Sequence, residues 1–138
     1  MKLIAYVDGS SLGNPGESGY GIILKDEKEN TLETIGRYIG TATNNIAEYS
    51  GLLNCLKIAR KYQSDSIKVF SDSLLMVNQL NGNYKVKNER LKIIFSEIQN
   101  LLKNENIQLE IVHIPRDQNR EADKLARRAV RLQKDVNE

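Results

Sequence analysis

Four carboxylates stand where secondary-structure elements begin or end, the places from which side chains reach out of a fold. Asp8 closes the apolar run Leu3-Ile4-Ala5-Tyr6-Val7, and Asp72 follows a second β-branched run over residues 66–70. Glu48 lies in the first turn of one helical pattern and Asp123 in the first turn of another. Each acid has an ordinary structural use. Asp8 would satisfy turn amides, and Asp72 would cap a helix beginning at Ser73. Glu48 stands three residues after Asn45, as in a capping box. Asp123 would pair with Arg127 one turn on and favour the helix N-terminus. Taken together the four point to chemistry. If the strands ending at Asp8 and Asp72 are parallel neighbours, both acids emerge at one sheet edge, where open α/β sheets bind ligands. Crowded carboxylates raise one another's pKa unless positive charge lies between them. Hard divalent ions with oxygen ligands, Mg²⁺ above all, meet that need. Two such ions about 3.5–4 Å apart activate a water and stabilise the leaving oxygen of a phosphoryl transfer. With Cys55 and His113 the sole residues of their types, zinc is a poor candidate.

The elements that must position these acids are readable from periodicity. Residues 3–7 are apolar on both sides of the alternation, as in a central strand that ends at Asp8. A turn-rich stretch over 9–19, containing Asn14-Pro15-Gly16, leads to a strand over 20–25, and a polar turn leads to a third over 31–39. Helical spacing runs over 45–62, through Ile46, Tyr49, Leu52, Leu53, Leu56 and Ala59. A strand over 66–70, a short helix to Asn81, a helix over 88–104, a strand over 107–114 stopped by Pro115 and a helix over 119–133 complete the chain. The order βββαβααβα predicts an α/β fold. Three hairpin-linked strands are antiparallel, and two more return through helices parallel to the first. A mixed five-stranded sheet flanked by helices is expected.

The 138 residues suit one domain, taken as residues 1–138. A composition 40% hydrophobic and 28% charged argues against disorder. No apolar run is long enough for a membrane span, and the start at Met1-Lys2-Leu3-Ile4 leads directly into a strand, so no signal peptide is expected. The lone Cys55 suits a reducing compartment. Charge is uneven: residues 1–50 carry 4 Lys/Arg against 7 Asp/Glu, and residues 51–138 carry 16 against 11. A basic second half hints at a polyanion partner.

The acids sit inside motifs that resemble those of type 1 ribonuclease H. Asp8-Gly9-Ser10-Ser11-Leu12-Gly13-Asn14-Pro15-Gly16 with Gly19-Tyr20-Gly21 is similar to the first motif of that family. Thr43-Asn44-Asn45-Ile46-Ala47-Glu48 is similar to the second, Ser71-Asp72-Ser73 to the third, and Asn119-Arg120-Glu121-Ala122-Asp123 to the fourth. The motifs keep the family's order and span residues 8–123. The resemblance implies a ribonuclease H-like fold and a metal-dependent endonuclease that cuts the RNA strand of RNA–DNA hybrids, leaving 5′-phosphate and 3′-hydroxyl ends. It places Asp8, Glu48, Asp72 and Asp123 on the catalytic, metal-binding acids. Asp8 would bridge two Mg²⁺ ions, with Mn²⁺ as a substitute; Glu48 and Asp72 would hold one and Asp123 would help hold the other. It places Gly9, Ser10, Asn14, Thr43, Asn44, Asn45 and Ser73 on the substrate, with Thr43 near a phosphate of the DNA strand. Glu48 would lie near the 2′-hydroxyl that distinguishes RNA from DNA. Gly9 would let backbone approach the ribose. A cytoplasmic monomer with no obligatory protein partner and no membrane association is implied.

The departures from the family are local. Some members insert a basic, Trp-rich protrusion that this chain replaces with residues 81–88, where Lys85 and Lys87 are the basic contacts. Arg127, Arg128 and Arg131 on the last helix are the alternative. His113 has the spacing of a mobile catalytic histidine, ten residues before Asp123, without its Gly-His loop. The auxiliary role near the scissile phosphate falls to His113 or to Arg116, and packing of His113 on the face of Ile111 and Leu109 is the other use. Integrases, junction nucleases and 3′–5′ exonucleases share the fold. An exonuclease of that kind would open on Asp-x-Glu, where this chain has Asp8-Gly9-Ser10, and the Thr43-Asn44-Asn45 match disfavours an integrase. An inert hybrid-binding domain would have no reason to keep four like charges together.

Overall fold

The computed structural model describes residues 1–137. Strands β1 (Lys2–Leu12), β2 (Gly16–Asp26) and β3 (Thr31–Ala42) form an antiparallel meander, followed by helix α1 (Asn44–Lys61). Strand β4 (Ser66–Ser71), helices α2 (Leu74–Leu80) and α3 (Glu89–Asn104), strand β5 (Gln108–His113), helix α4 (Arg120–Leu132) and strand β6 (Val136–Asn137) complete the order. The sheet runs β5-β4-β1-β2-β3-β6, with β4 parallel to β1 and β5 parallel to β4.

The sheet has six strands where the periodicity predicts five. The extra strand, β6, is two residues long and pairs Val136 with Gly36 and Asn137 with Ile35. Gln133 turns the chain back in a left-handed conformation (φ 51°) at the end of α4. A two-residue strand carries no alternation from which sequence could announce it. The meander strands also run longer than their apolar runs. Residues 9–12, expected as turn, continue β1 against β2, and the turn itself shrinks to Gly13-Asn14-Pro15.

Burial follows the pleat. Leu3, Ala5 and Val7 of β1 are fully buried, while Ile4 and Tyr6 on the opposite face are half-buried. Tyr49, Leu52, Cys55 and Leu56 of α1 pack in the same core. Each large apolar side chain buried there contributes about 1.5–3 kcal/mol. Helix α4 lies on the sheet with Ala122, Leu125, Ala126, Ala129 and Val130 buried. The approach is so close that a Cβ on Gly21 of β2 would stand 2.1 Å from the Ala122 carbonyl oxygen. Gly21 is therefore what admits α4. Cys55 is buried and free, and burial pushes its thiol up to about 12, so it is an apolar filler at neutral pH. Among the described residues no helix is long and apolar enough to cross a membrane.

The helix starts differ from the capping expected. Thr43 caps α1, its side chain accepting from the Ile46 amide at 3.2 Å, so Asn45 and Glu48 form no capping box. Ser73, not Asp72, caps α2 by accepting from the Met76 amide at 3.2 Å. Both acids are thereby left over from the local uses that would have explained them.

Candidate active site

Strand β4 stops at Ser71, opposite Val7, so β1 loses its parallel neighbour just as it reaches Asp8. Asp8 and Asp72 therefore emerge side by side at the carboxyl edge, as the parallel arrangement predicts. Helix α1 closes the space from one face. A Cβ on Gly9 would stand 2.7 Å from the Glu48 amide nitrogen and 3.0 Å from the Ala47 carbonyl carbon. Glycine is thus required at position 9 by the backbone of α1, where the motif resemblance implies a ribose. The Gly9 amide, facing the edge that β4 has vacated, donates to Glu48 Oε1 at 2.9 Å.

Ligand oxygens of Asp8, Glu48 and Asp72 all lie within 4.8 Å of one another. Asp8 and Glu48 are each only 4% exposed, and Asp72 is half-buried. Burial, then the Glu48 and Asp72 charges, hold the Asp8 carboxyl well above the usual carboxylate range. Burial likewise pushes Glu48 up to about 8, against the opposing pull of the Gly9 hydrogen bond. Glu48 Oε2 is buried and has no hydrogen-bond partner. Among the described residues no lysine or arginine pairs with these three acids. Three convergent carboxylates with an unsatisfied buried oxygen and no protein cation fit a hard divalent ion, and the donor set is all oxygen.

Asp123 reaches the same cleft from α4 but lies outside that trio. Its carboxylate pairs with Arg127 Nε at 3.1 Å, the i+4 contact expected from sequence. The helix is held there by Asn119, buried just before it, whose Nδ2 donates to the Val7 carbonyl oxygen at 2.9 Å.

The cleft, about 550 Å³, brings together the four acids with Gly9, Ser10, Asn14, Asn44, Ser73 and Arg116. Asn14 Oδ1 accepts from the Asn44 amide at 3.0 Å, tying the β1–β2 turn to the start of α1. Thr43, Asn45, Lys85 and Lys87 are not in this cleft. They line an adjoining one of about 400 Å³, which shares Asn14 with the first. His113 lines neither. It is exposed at the last position of β5, opposite Ser71, where the neighbouring strand also ends. Packing of His113 with Ile111 and Leu109 is therefore not realised: the side chain is exposed although its partner Ser71 and the following Ile114 are buried.

Two residues of the adjoining cleft are not singled out by the sequence. Asn88 caps α3, accepting from the Leu91 amide at 3.1 Å. Gln79 is buried in α2, its Oε1 accepting from the Tyr49 hydroxyl and its Nε2 donating to the Lys85 carbonyl oxygen at 3.1 Å. Its one signal is a polar residue three positions after Met76, on the buried face of a short apolar helix.

The sequence profile of the family described as Reverse transcriptase-like matches residues 6–129. The bifunctional protein Rv2228c of Mycobacterium tuberculosis is 37% identical over 131 residues, covering 94% of this chain and 36% of its own length. The chain thus spans about a third of that relative. A ribonuclease H of Tropheryma whipplei is 36% identical, with 93% of this chain and 84% of the relative covered. The crystal structure of LC11-RNase H1 in complex with an RNA/DNA hybrid superposes with a TM-score of 0.90 at 39% identity, covering 95% and 98% of the two chains.

Proposed function

The chain belongs to the ribonuclease H family, and from that premise we propose that it hydrolyses the RNA strand of RNA–DNA hybrids at internal positions, leaving 5′-phosphate and 3′-hydroxyl ends. The observation that carries this reading is the trio Asp8, Glu48 and Asp72, with ligand oxygens within 4.8 Å and the Glu48 Oε2 atom unpaired, lining an open cleft of about 550 Å³. A ribonuclease H among its relatives, and the hybrid bound by the similar LC11 protein, support the substrate.

Asp8, Glu48 and Asp72 would hold divalent metal, with Asp123 completing the set; we assign two Mg²⁺ ions, for which Mn²⁺ can substitute. When bound, such ions neutralise the acids and supply an activated water and a stabilised leaving oxygen. The chain's own residues position the substrate. Asn14 and Asn44, linked to each other, present amide groups to sugars and base edges in the minor groove, which suits recognition indifferent to sequence. Gly9, Ser10 and Ser73 border the acids and face the RNA strand. In the adjoining cleft Thr43, Lys85 and Lys87 take phosphates of the DNA strand, with the two lysines as the charge, while Asn45 joins Asn14 and Asn44 on the minor groove. Arg116, on the wall of the acid cleft, stands near the scissile phosphate. Residues 1–138 act as one catalytic domain, monomeric and cytoplasmic.

Cleavage of a labelled hybrid with Mg²⁺, run beside single-stranded RNA and duplex DNA, tests the reading. Cutting confined to the hybrid's RNA strand and lost in Asp8→Asn is expected. Cutting of duplex DNA, or undiminished turnover in Asp8→Asn, would overturn it.

A further inference from the structure

Helix α4 leaves the acid cleft as a surface of one sign. Between positions 124 and 134 the chain carries Lys124, Arg127, Arg128, Arg131 and Lys134 and no acid. The first four fall at i, i+3, i+4 and i+7, one stripe of the helix, away from Leu125, Ala126, Ala129 and Val130, which are buried. Like charges at those spacings destabilise a helix, and a merely solvated face relieves them with interleaved acids. Helix α3 does so, mixing Glu89, Arg90, Lys92, Glu97 and Lys103. In α4, Arg127 is paired with Asp123, whereas among the described residues Lys124 and Arg131 form no ion pair.

These cations line a cleft of about 510 Å³ whose wall nearest the active site is Asp123. Asp123 also lines the acid cleft. The two clefts share that wall, which puts the basic stripe next to the acids. Lys124 and Arg131 are seven residues apart, about 10 Å along the helix, or about three nucleotide steps at ~3.4 Å per strand. Leu132 is the one large apolar side chain in the cleft, so the aromatic and apolar anchors of a protein interface are missing there.

Resting on the hybrid-cutting reading above, we propose that this cleft is a track for the cut strand. The phosphodiester backbone of the RNA, continuing beyond the scissile position, lies along α4 from Asp123 towards Arg131. Lysine and guanidinium groups suit that role because they hold phosphates without reading bases.

The test measures binding to a short blunt hybrid and to the same hybrid whose RNA strand carries a few unpaired nucleotides, at either end, in an Asp72→Asn background that leaves the RNA intact. The readout is the ratio of the two affinities and its salt dependence. The extension at one end should tighten binding and steepen the log–log salt slope by roughly 0.7 for each phosphate engaged. Lys124→Ala with Arg131→Ala should remove most of that gain, and Lys124→Arg with Arg131→Lys should keep it. An unchanged ratio in the double alanine variant overturns the track and turns the stripe towards another partner, such as an acidic protein surface. A gain obtained only by extending the DNA strand overturns it as well. Cleavage of the blunt hybrid by the unaltered protein reports the parent reading independently of this ratio.

Discussion

Asn119 Nδ2 donates to the Val7 carbonyl oxygen at 2.9 Å, a bond across 112 positions that fastens the start of α4 to the residue before Asp8. Asp123, one turn into that helix, owes its place beside the other acids to this bond. Both groups are buried, so removing the donor leaves the Val7 oxygen unsatisfied, at about 1–3 kcal/mol. Asn119→Ala should therefore melt lower and turn over hybrid more slowly at saturating metal. Asn119→Asp, nearly isosteric, should be worse than alanine, because a carboxylate cannot donate and adds an anion to a crowded site. Calorimetry and turnover on the two variants check the order; an aspartate as active as asparagine would refute the clamp.

The buried acids set a pH dependence in the metal-free protein. Folded-state pKa values raised above the unfolded ones mean that Asp8 and Glu48 favour folding when protonated. That contribution is complete below the ordinary carboxylate range of about 4 and fades as pH rises towards about 8 for Glu48. With chelator present, the protein should thus melt lower near neutral to mildly alkaline pH than in mild acid. Asp8→Asn removes one of the crowded anions and should melt higher than the unaltered chain at the upper end. One pKa unit corresponds to about 1.4 kcal/mol, or a rise of roughly 3–5 °C for a chain this size. The gap should close in mild acid and shrink when Mg²⁺ is added. Melting curves that are independent of pH and of Mg²⁺ would contradict the assignment of these acids.

Hybrid should be held mostly through its phosphates, and binding should so weaken steeply with salt. Lys85→Ala with Lys87→Ala should make the log–log slope shallower by roughly 0.9 for each phosphate that is no longer neutralised. Gln79→Leu should have a related effect without touching substrate, because Gln79 holds the Lys85 carbonyl from α2 while accepting from Tyr49. KM should rise in Gln79→Leu with kcat largely kept, accompanied by about 1–3 kcal/mol of destabilisation from the unpartnered Tyr49 and Lys85 groups. A fall in kcat with unchanged KM would place Gln79 in the service of Glu48 rather than of the lysines.

The acid site is legible in the sequence because its logic is topological. Parallel β1 and β4 must deliver Asp8 and Asp72 to one edge, and motif order supplies Glu48 and Asp123. What sequence cannot carry is the set of interactions fixed by tertiary approach. Gly9 is required by the α1 backbone at Ala47 and Glu48, an element distant in sequence, and turn chemistry alone offers no hint of it. The capping box at Asn45 fails because Thr43 has the oxygen in reach of the Ile46 amide. Gln79 looks like an ordinary polar residue of a short helix until its two partners, from α1 and the loop after α2, are in place. Strand β6 depends on the left-handed turn at Gln133 and is invisible to periodicity.

Arg116 and His113 stand differently towards the acids, and kinetics decides between them. Arg116 lines the acid cleft, and Pro115 ends the strand before it and starts the short 3₁₀ turn Arg116–Gln118. His113 is exposed and lines no cleft with the acids. Its replacement by alanine should leave both the melting temperature and the turnover per molecule nearly unchanged. Arg116→Ala should lower turnover at every pH, because a guanidinium stays charged throughout. Arg116→Lys should recover part of the rate, since the charge returns without the planar fork. A histidine role would show instead as a turnover loss in His113→Ala whose size changes with pH. Parallel pH–rate profiles of the three variants decide it, and a normal rate for Arg116→Ala across the range would return the role to the strand end.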